Sequence, residues 1–286
     1  MKALDESGLS VTLIARDEED RLPDALAFVA FADERIVVVD AASTDRTEEV
    51  ARRAGARVVV RTFDGFGRQK NAAAALAANR WILSIDADEV VSPKLALEIR
   101  ACLASAASET SPPAAYRVPI RLEFLGRMLL FGRDTVVRPI RLYDRLRARF
   151  SDDPVHEKVL ATGPVESLEE SVLHRSYRDL AHYLEKLDRY TTLAAEAKWA
   201  AGKGGRGFLP ARVLWEFLDR AVLRLGFLDG SAGLTYAALS SASTLLKYLK
   251  LRELEGAIAR GEREAPENVR IEDTAALRTR ALFGAR

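Results

Sequence analysis

Short β-branched runs alternate with helix-spaced segments through the first hundred residues. Ser10 to Ala15 (SVTLIA) reads as a strand that stops at the charged cluster Arg16 to Asp20. Leu22, Leu26 and Val29 then recur at helical spacing, with Pro23 tolerable in a first turn. Arg35 to Asp40 (RIVVVD) is a second buried strand. Ser43, Thr44 and Asp45 supply capping side chains for a helix through Val50 and Ala54, which Gly55 ends. Arg57 to Arg61 is a third strand and FDGFGRQKN a glycine-bearing loop. The alanine run after that loop is a helix, alanine having the best intrinsic propensity. Trp81 to Asp86 (WILSID) is a fourth strand, and Ser92-Pro93 opens another helix. This alternation predicts an α/β fold built on a mostly parallel sheet with right-handed crossovers.

In such sheets ligands sit outside the carboxyl ends of the strands, near the point where strand order reverses. Acids stand at those ends: Asp17 and Glu18 after the first strand, Asp40 after the second, and Asp86, Asp88 and Glu89 after the fourth. Carboxylates crowded into a cleft repel one another, and a hard divalent cation, Mg²⁺ or Mn²⁺, would neutralise them while gripping a diphosphate. The competing use of each acid is a helix cap or first-turn residue favoured by the helix dipole. That reading leads for Glu19, Asp45 and Glu48, is even with the first for Asp40, and is weaker for the D-x-D pair Asp86 and Asp88. Other nucleotide and hydrolase signatures are missing. ARDEED stands where a G-x-G-x-x-G would follow the first strand, and the chain has no P-loop, no G-x-S-x-G and no H-E-x-x-H.

Taken together, SVTLIARDEE, VVVDAASTDRT, GFGRQKN and LSIDADEVVSP resemble the nucleotide-sugar-binding half of family 2 glycosyltransferases, which have the GT-A (Rossmann-like) fold. RPIRLYDR, VHEKV, GFLDGSAGL and LLKYLKL are similar to the lipopolysaccharide-core β-glucosyltransferase branch. The resemblance runs from about residue 9 to residue 252. It implies inverting transfer from a nucleotide-sugar, commonly a UDP-sugar, to a lipid-linked core sugar on the inner face of the inner membrane. It also implies roles. Asp40 would bind the nucleobase, with Ala15, Asp17 and Glu18 bordering the nucleoside. Lys70 and Asn71 stand where relatives have Arg-Asn, Asp86 would lie near the ribose, and Asp88 would ligate Mn²⁺ or Mg²⁺. ARDEE replaces the common K-N-E-E, which puts Asp17 in a slot that is usually neutral.

Transfer to a hydroxyl needs a general base, and Glu157 in VHEKV is the candidate, with His156 beside it as a third metal ligand or an orienting group. Against these stand a structural histidine at His156 and a surface ion pair of Glu157 with Lys158. Between Tyr116 and Arg149 nine arginines face three acids, a local excess of +6. Those charges suit phosphorylated sugars or anionic lipid, or else form a solvated basic face. No RNA or helix-turn-helix motif accompanies them, so nucleic acid is not an expected partner.

From His174 onward the spacing is helical. In the segment opened by Pro210, Arg212, Glu216, Arg220 and Arg224 form a polar stripe. Val213, Leu214, Phe217, Leu218, Ala221 and Leu225 form the apolar side. Residues 230–246 carry no charge, but seventeen helical residues span only about 25 Å, short of the roughly 30 Å hydrocarbon core. That run is expected as an interfacial or re-entrant element. Residues 203–252 hold eight basic residues against three acidic ones, as expected of a region lying on an anionic membrane surface; a homo-oligomer interface or a lid is the competing use. The expected organisation is a catalytic GT-A domain over residues 1–172, a helical membrane-associating region over 173–252, and a charged tail over 253–286.

Composition changes this picture little. With 48% apolar and 30% charged residues and a net charge of +1, disordered and wholesale nucleic-acid-binding classes fall away. A lone cysteine, Cys102, and a start without a secretory signal predict a cytoplasmic protein, peripheral on the membrane. Two other readings compete. One is a haloacid-dehalogenase-type phosphohydrolase using the D-x-D after WILSI, and the other a membrane-docked, non-catalytic scaffold that binds nucleotide-sugars.

Overall fold

A computed structural model describes residues 5–132, 135–153, 157–202 and 209–262, with side chains from residue 8 onward. Two compact units emerge: residues 1–121 with 138–175, and residues 122–137 with 176–286.

The first unit begins with β1 (Asp5–Ala15), α1 (Leu22–Phe28), β2 (Glu34–Asp40), α2 (Thr47–Arg53), β3 (Arg57–Arg61), α3 (Phe66–Leu76) and β4 (Asn79–Asp86). After these come β5 (Glu89–Val91), α4 (Pro93–Ala106) and β6 (Ala115–Arg117). The chain then passes through β7 (Ile120–Phe124), β8 (Arg127–Met128) and β9 (Val136–Val137). It returns with β10 (Ile140–Asp144), β11 (Ala148–Phe150), β12 (Val159–Ala161), β13 (Val165–Ser167) and β14 (Val172–His174). Seven strands form the main sheet in the order β13-β6-β10-β4-β1-β2-β3. β4, β1, β2 and β3 run parallel, and β10 is antiparallel to both its neighbours. The chain starts at β1, builds outward to β3 and comes back to β4 on the other side, so strand order reverses between β1 and β4. Continuous apolar runs such as Ile36 to Val39 and Ile82, Leu83 and Ile85 are buried, as a sheet covered on both faces requires. Asp144, fully buried, accepts two hydrogen bonds from the Arg80 guanidinium (2.9 and 2.8 Å), fixing β10 beside β4.

Two local expectations are corrected. α3 starts at Phe66, inside the stretch expected as a loop, and it ends at Leu76 rather than running through the alanines. Gly65, at φ 123°, supplies the entry turn that only glycine takes easily. Gly67 then packs its bare Cα against the Ser151 carbonyl, and Gln69, Lys70, Ala73 and Ala74 face inward. Packing of that face overrides the poor helix propensity of glycine. Of Ser43, Thr44 and Asp45, only Asp45 bonds α2, its Oδ1 accepting from the Thr47 N–H (2.9 Å); the N-cap position itself is Arg46, whose N–H donates to Glu19 Oε2 (2.9 Å). The Ser43 Oγ accepts from the Asp17 N–H (2.9 Å), the Thr44 N–H donates to Asp17 Oδ1 (2.7 Å), and Asp45 Oδ2 accepts from the Glu19 N–H (3.0 Å). The three residues lace the β1–α1 loop to the β2–α2 loop. Ser92 does cap α4, its hydroxyl accepting from the Leu95 N–H.

The second unit holds the β7–β8 hairpin end, β9, α5 (Leu180–Ala200), α6 (Leu209–Leu218) and α7 (Gly230–Ala259). A π-helical turn (Asp219–Leu223) and a 3₁₀ turn (Gly226–Asp229) join α6 to α7. Phe124, Tyr183, Leu187 and Tyr236 pack in one cluster, and Ala195, Leu209, Tyr248 and Leu251 in another. The uncharged run 230–246 is therefore the first half of a core helix, with Ala232, Tyr236, Ala237, Ser241 and Thr244 buried, rather than an interfacial element. No helix among the described residues is long and apolar enough to cross a membrane. The amphipathic expectation for α6 holds in part: Val213 and Ala221 face inward and Arg212 and Arg224 are exposed, but Arg220 is buried while Leu214 and Leu218 face outward. Residues 263–286 lie outside the described residues.

Candidate active site

β4 ends at the switch point, and the turn after it places Asp86, Asp88 and Glu89 within one charged cluster of the first unit. Arg141, on β10, lies across them. Its Nη2 donates to Asp86 Oδ2 (2.8 Å) and to Glu89 Oε1 (2.7 Å). Lys70, on the buried face of α3, sits 3.4 Å from Asp86 Oδ1 and 3.2 Å from Glu157 Oε1. Asp88 Oδ2 meets His174 Nε2 at 3.0 Å, with Arg21 Nη1 at 3.6 Å. His174 arrives there because β14 pairs antiparallel with β5, in a register that sets it opposite Glu89. The Arg175 N–H donates to the Asp88 carbonyl (2.9 Å) and pins the turn. Four carboxylates are thus interleaved with Lys70, Arg141, Arg21 and one imidazole.

The electrostatics follow from that interleaving. Burial opposes the charge on Asp86, yet Arg141 and Lys70 outweigh it and hold the carboxyl well below its usual range. Burial likewise opposes ionisation of Asp88, and His174 overcomes it. His174 is raised in turn: burial works against its charge, and Asp88, with Glu89 and Asp86 behind it, prevails. For Glu89 burial wins and its carboxyl is raised despite Arg141. Arg21 Nη2 and Arg141 Nε are buried donors with no hydrogen-bond partner among the described residues. Buried donors of this kind are costly unless an acceptor meets them, which fits an anionic ligand at this rim.

The remaining expected residues are placed as follows. Asp40, buried at the end of β2, accepts from the Ala42 N–H (3.0 Å) and lies 3.5 Å from Arg16. Ala15 ends β1, and the Glu18 N–H donates to Thr47 Oγ1. Asp17 adopts φ 54° and spends its carboxylate on Thr44. Both ends of the Asn71 amide go to the backbone of Phe150, at 2.9 Å each, so Asn71 holds β11 rather than facing a ligand through that amide. Glu157 pairs with Lys70, not with its neighbour Lys158 as the surface-pair reading expects. His156 lies outside the described residues. The basic segment does not act as one surface. Arg141 is buried, Arg145 donates to the carbonyls of Ala77 and Ala75 at the end of α3, and Arg147 donates to the Pro112 carbonyl. Arg141, His174 and Arg21 were not expected as site residues, and Glu89 was expected only as one acid of the crowded rim. The available signal was a lone charge inside a short apolar strand, as in PIRLY and SVLH.

An open, mostly parallel sheet with its charged cluster outside the strand ends defines the class of nucleotide-binding α/β folds. Residues 10–106 match the model of the family described as glycosyl transferase family 2. A protein named as an uncharacterized glycosyltransferase of Rickettsia typhi is 28% identical over 256 residues, covering 86% of this chain and 87% of that protein. A similarly named protein of Rickettsia conorii is 29% identical over 267 residues, covering 88% and 92%. Among solved structures, residues 1–349 of TarS from S. aureus align with 92% of this chain and 93% of that one, at 13% identity and a TM-score of 0.40. The phosphohydrolase reading is not favoured: it wants the D-x-D on the first strand with a free nucleophile, whereas Asp86 ends β4 and is held by Arg141 and Lys70.

Proposed function

We propose that the chain is an inverting glycosyltransferase that moves a sugar from a nucleoside-diphosphate sugar, a UDP-sugar such as UDP-glucose, to a lipid-linked saccharide. The observation that carries this reading is the cationic cluster Lys70, Arg141 and Arg21 around the D-x-D turn, with two buried guanidinium donors there that have no partner among the described residues. A diphosphate supplies the acceptors such donors need. Asp40, buried between the β1 and β2 loops, would read the nucleobase, and Asp86 the ribose. Resemblance of the RPIRLYDR and VHEKV segments supports a lipopolysaccharide inner-core acceptor.

A divalent cation fits this site with two protein donors. The Asp88 carboxylate and the His174 imidazole converge within 3.0 Å, although no group of three or more His, Cys, Asp or Glu among the described residues could hold a metal. Mg²⁺ and Mn²⁺ are commonly held by one or two side chains, with phosphate and water completing the shell. Bound there, the ion would offset charge developing on the departing diphosphate. Glu157, fixed by Lys70, would take the proton from the attacking acceptor hydroxyl, and Arg141 and Lys70 would hold the donor end steady. Inversion needs a single displacement and no covalent nucleophile.

Thermal unfolding with UDP and Mn²⁺ tests the reading. At about a hundredfold excess over Kd the ligand should add about 2.7 kcal/mol of stability. Asp88→Asn should remove the Mn²⁺-dependent part and abolish transfer. Normal turnover in that variant would overturn the metal assignment, and a phosphorylated enzyme intermediate would point to a hydrolase.

A further inference from the structure

The segment after α5 buries one arginine and turns part of its apolar stripe outward. In a helix that packs on a soluble core, the polar stripe faces water and the apolar stripe faces inward. Here Arg220 is buried and paired with Glu216 (3.3 Å), while Arg212 lies over the Tyr248 ring at 4.6 Å and stays exposed. Leu214, Trp215, Val222, Leu223, Phe227 and Leu228 point outward, each about half exposed or more, Trp215 at 61%. The π-helical turn at Asp219–Leu223 and the left-handed Leu225 (φ 59°) break the helical repeat, so apolar side chains stay on the outside through two successive turns.

A second apolar element adjoins the first. At the tip of the β7–β8 hairpin Leu125 (φ 50°) and Gly126 (φ 73°) make the turn, and Leu125, Met128 and Leu130 are exposed. The Asp229 carboxylate accepts from the N–H groups of Leu130 (3.0 Å) and Phe131 (2.9 Å). The Gly132 N–H donates to the Arg224 carbonyl (2.8 Å). These bonds stitch the hairpin to the 3₁₀ turn and make one continuous face. Soluble proteins rarely expose an apolar patch beyond a few hundred Å².

Charge decides what covers it. The acids of this face are engaged within it: Glu216 with Arg220, Asp219 with Arg224 (3.6 Å), and Asp229 with backbone N–H groups. Among the described residues, the exposed charges around it are Arg127, Arg212 and Arg224. A two-fold interface with a second copy would need acids to meet those arginines, and among the described residues the acids of the face are already taken. Anionic headgroups meet them directly.

We propose that this face, residues 214–228 with the hairpin tip 125–130, docks on an anionic lipid bilayer and enters it from one side without crossing. Trp215, Leu223, Phe227 and Leu228 sink to the headgroup boundary while Arg127, Arg212 and Arg224 hold lipid phosphates. This inference does not depend on the transfer reading, since it concerns only the second unit.

Flotation of the full chain with phosphatidylcholine vesicles, with and without phosphatidylglycerol, tests it. Binding is expected to the anionic vesicles and to weaken with salt. Brominated lipid should quench the fluorescence, and Trp215→Phe should remove the quenching. Leu223→Asp with Leu228→Asp should weaken binding by at least about tenfold, since each buried leucine is worth that much. Arg127→Gln should weaken it by about fivefold. Far-UV circular dichroism should not change in any of these variants, whose sites are exposed. No binding to anionic vesicles, or binding that the aspartate pair leaves intact, overturns the proposal. A concentration-dependent dimer that the aspartate pair dissolves would also overturn it and assign the face to a second copy.

Discussion

Arg141→Met removes the one guanidinium that compensates Glu89. Glu89 is 1% exposed, with Oε1 accepting from Arg141 and Oε2 from the Asp86 N–H. Asp86 keeps Lys70 at 3.4 Å and some solvent when Arg141 goes, but Glu89 keeps only a single backbone bond. Almost all the loss therefore comes through Glu89. Breaking a buried pair by removing one partner costs about 3–5 kcal/mol, a large part of a typical domain's stability. A neutral amide at position 89 carries no uncompensated charge, and its unmet hydrogen bond costs about 1–3 kcal/mol. Glu89→Gln in the Arg141→Met background should thus return about 2 kcal/mol, a coupling that a double-mutant cycle reads directly. Urea unfolding is the assay. Trp81, buried in β4, reports on this sheet once Trp199 and Trp215 are replaced by Phe. Midpoints should fall with an unchanged m-value. A loss below about 1 kcal/mol, or no recovery with Glu89→Gln, would refute the claim that Arg141 is held there by Glu89.

Gly67→Ala puts a Cβ 2.0 Å from the Ser151 carbonyl and 3.3 Å from Glu157 Cβ, so α3 or the 151–157 segment must shift. Despite the better helix propensity of alanine, thermal unfolding should show a net loss of about 1–3 kcal/mol. Glu157→Gln should cut turnover by about 10²- to 10⁴-fold with donor affinity nearly unchanged, and a large loss of UDP binding would reassign the residue. Burial raises the Cys102 thiol, and Glu98, Glu166 and Glu109 add to it. Since the thiolate is the nucleophile, alkylation by iodoacetamide should lag behind free glutathione at pH 8 and accelerate only at more alkaline pH. Parity at pH 8 would contradict that environment.

The parallel strands were legible because each is a continuous apolar run, the signature of burial on both faces, closed by a charged or glycine residue. Arg57–Arg61 matches residue for residue. The start of α3 was not legible. Arg68, Gln69 and Lys70 are good helix formers, but Gly65 and Gly67 beside them read as a loop, and the close packing of Gly67 on Ser151, far away in sequence, is not visible locally. The partners of the D-x-D turn were hidden for the same reason. Nothing local to Arg141 or His174 says that β10 will lie antiparallel to β4, or that β14 will pair with β5. The outward face of α6 misled differently. A helical stripe was present, but periodicity cannot say which stripe faces the protein.

Those hidden partners also change how the acidic rim must be argued. Crowded carboxylates had suggested an ion, on the ground that something must neutralise them. Arg141 and Lys70 already do so for Asp86, Arg141 for Glu89, and Lys70 for Glu157. The acids therefore do not by their number demand a metal, and counting them says nothing about how many ions the site takes. What remains is narrower. Asp88 faces an imidazole that can give up its proton, whereas its neighbours face guanidinium and ammonium groups that hold theirs, arginine above all. Asp88 also keeps Arg21 at 3.6 Å, so of its two partners only the imidazole can give up a proton to make room for a cation. On the transfer reading proposed above, a metal would be held at the Asp88–His174 pair, and the fixed cations would meet the donor's phosphates.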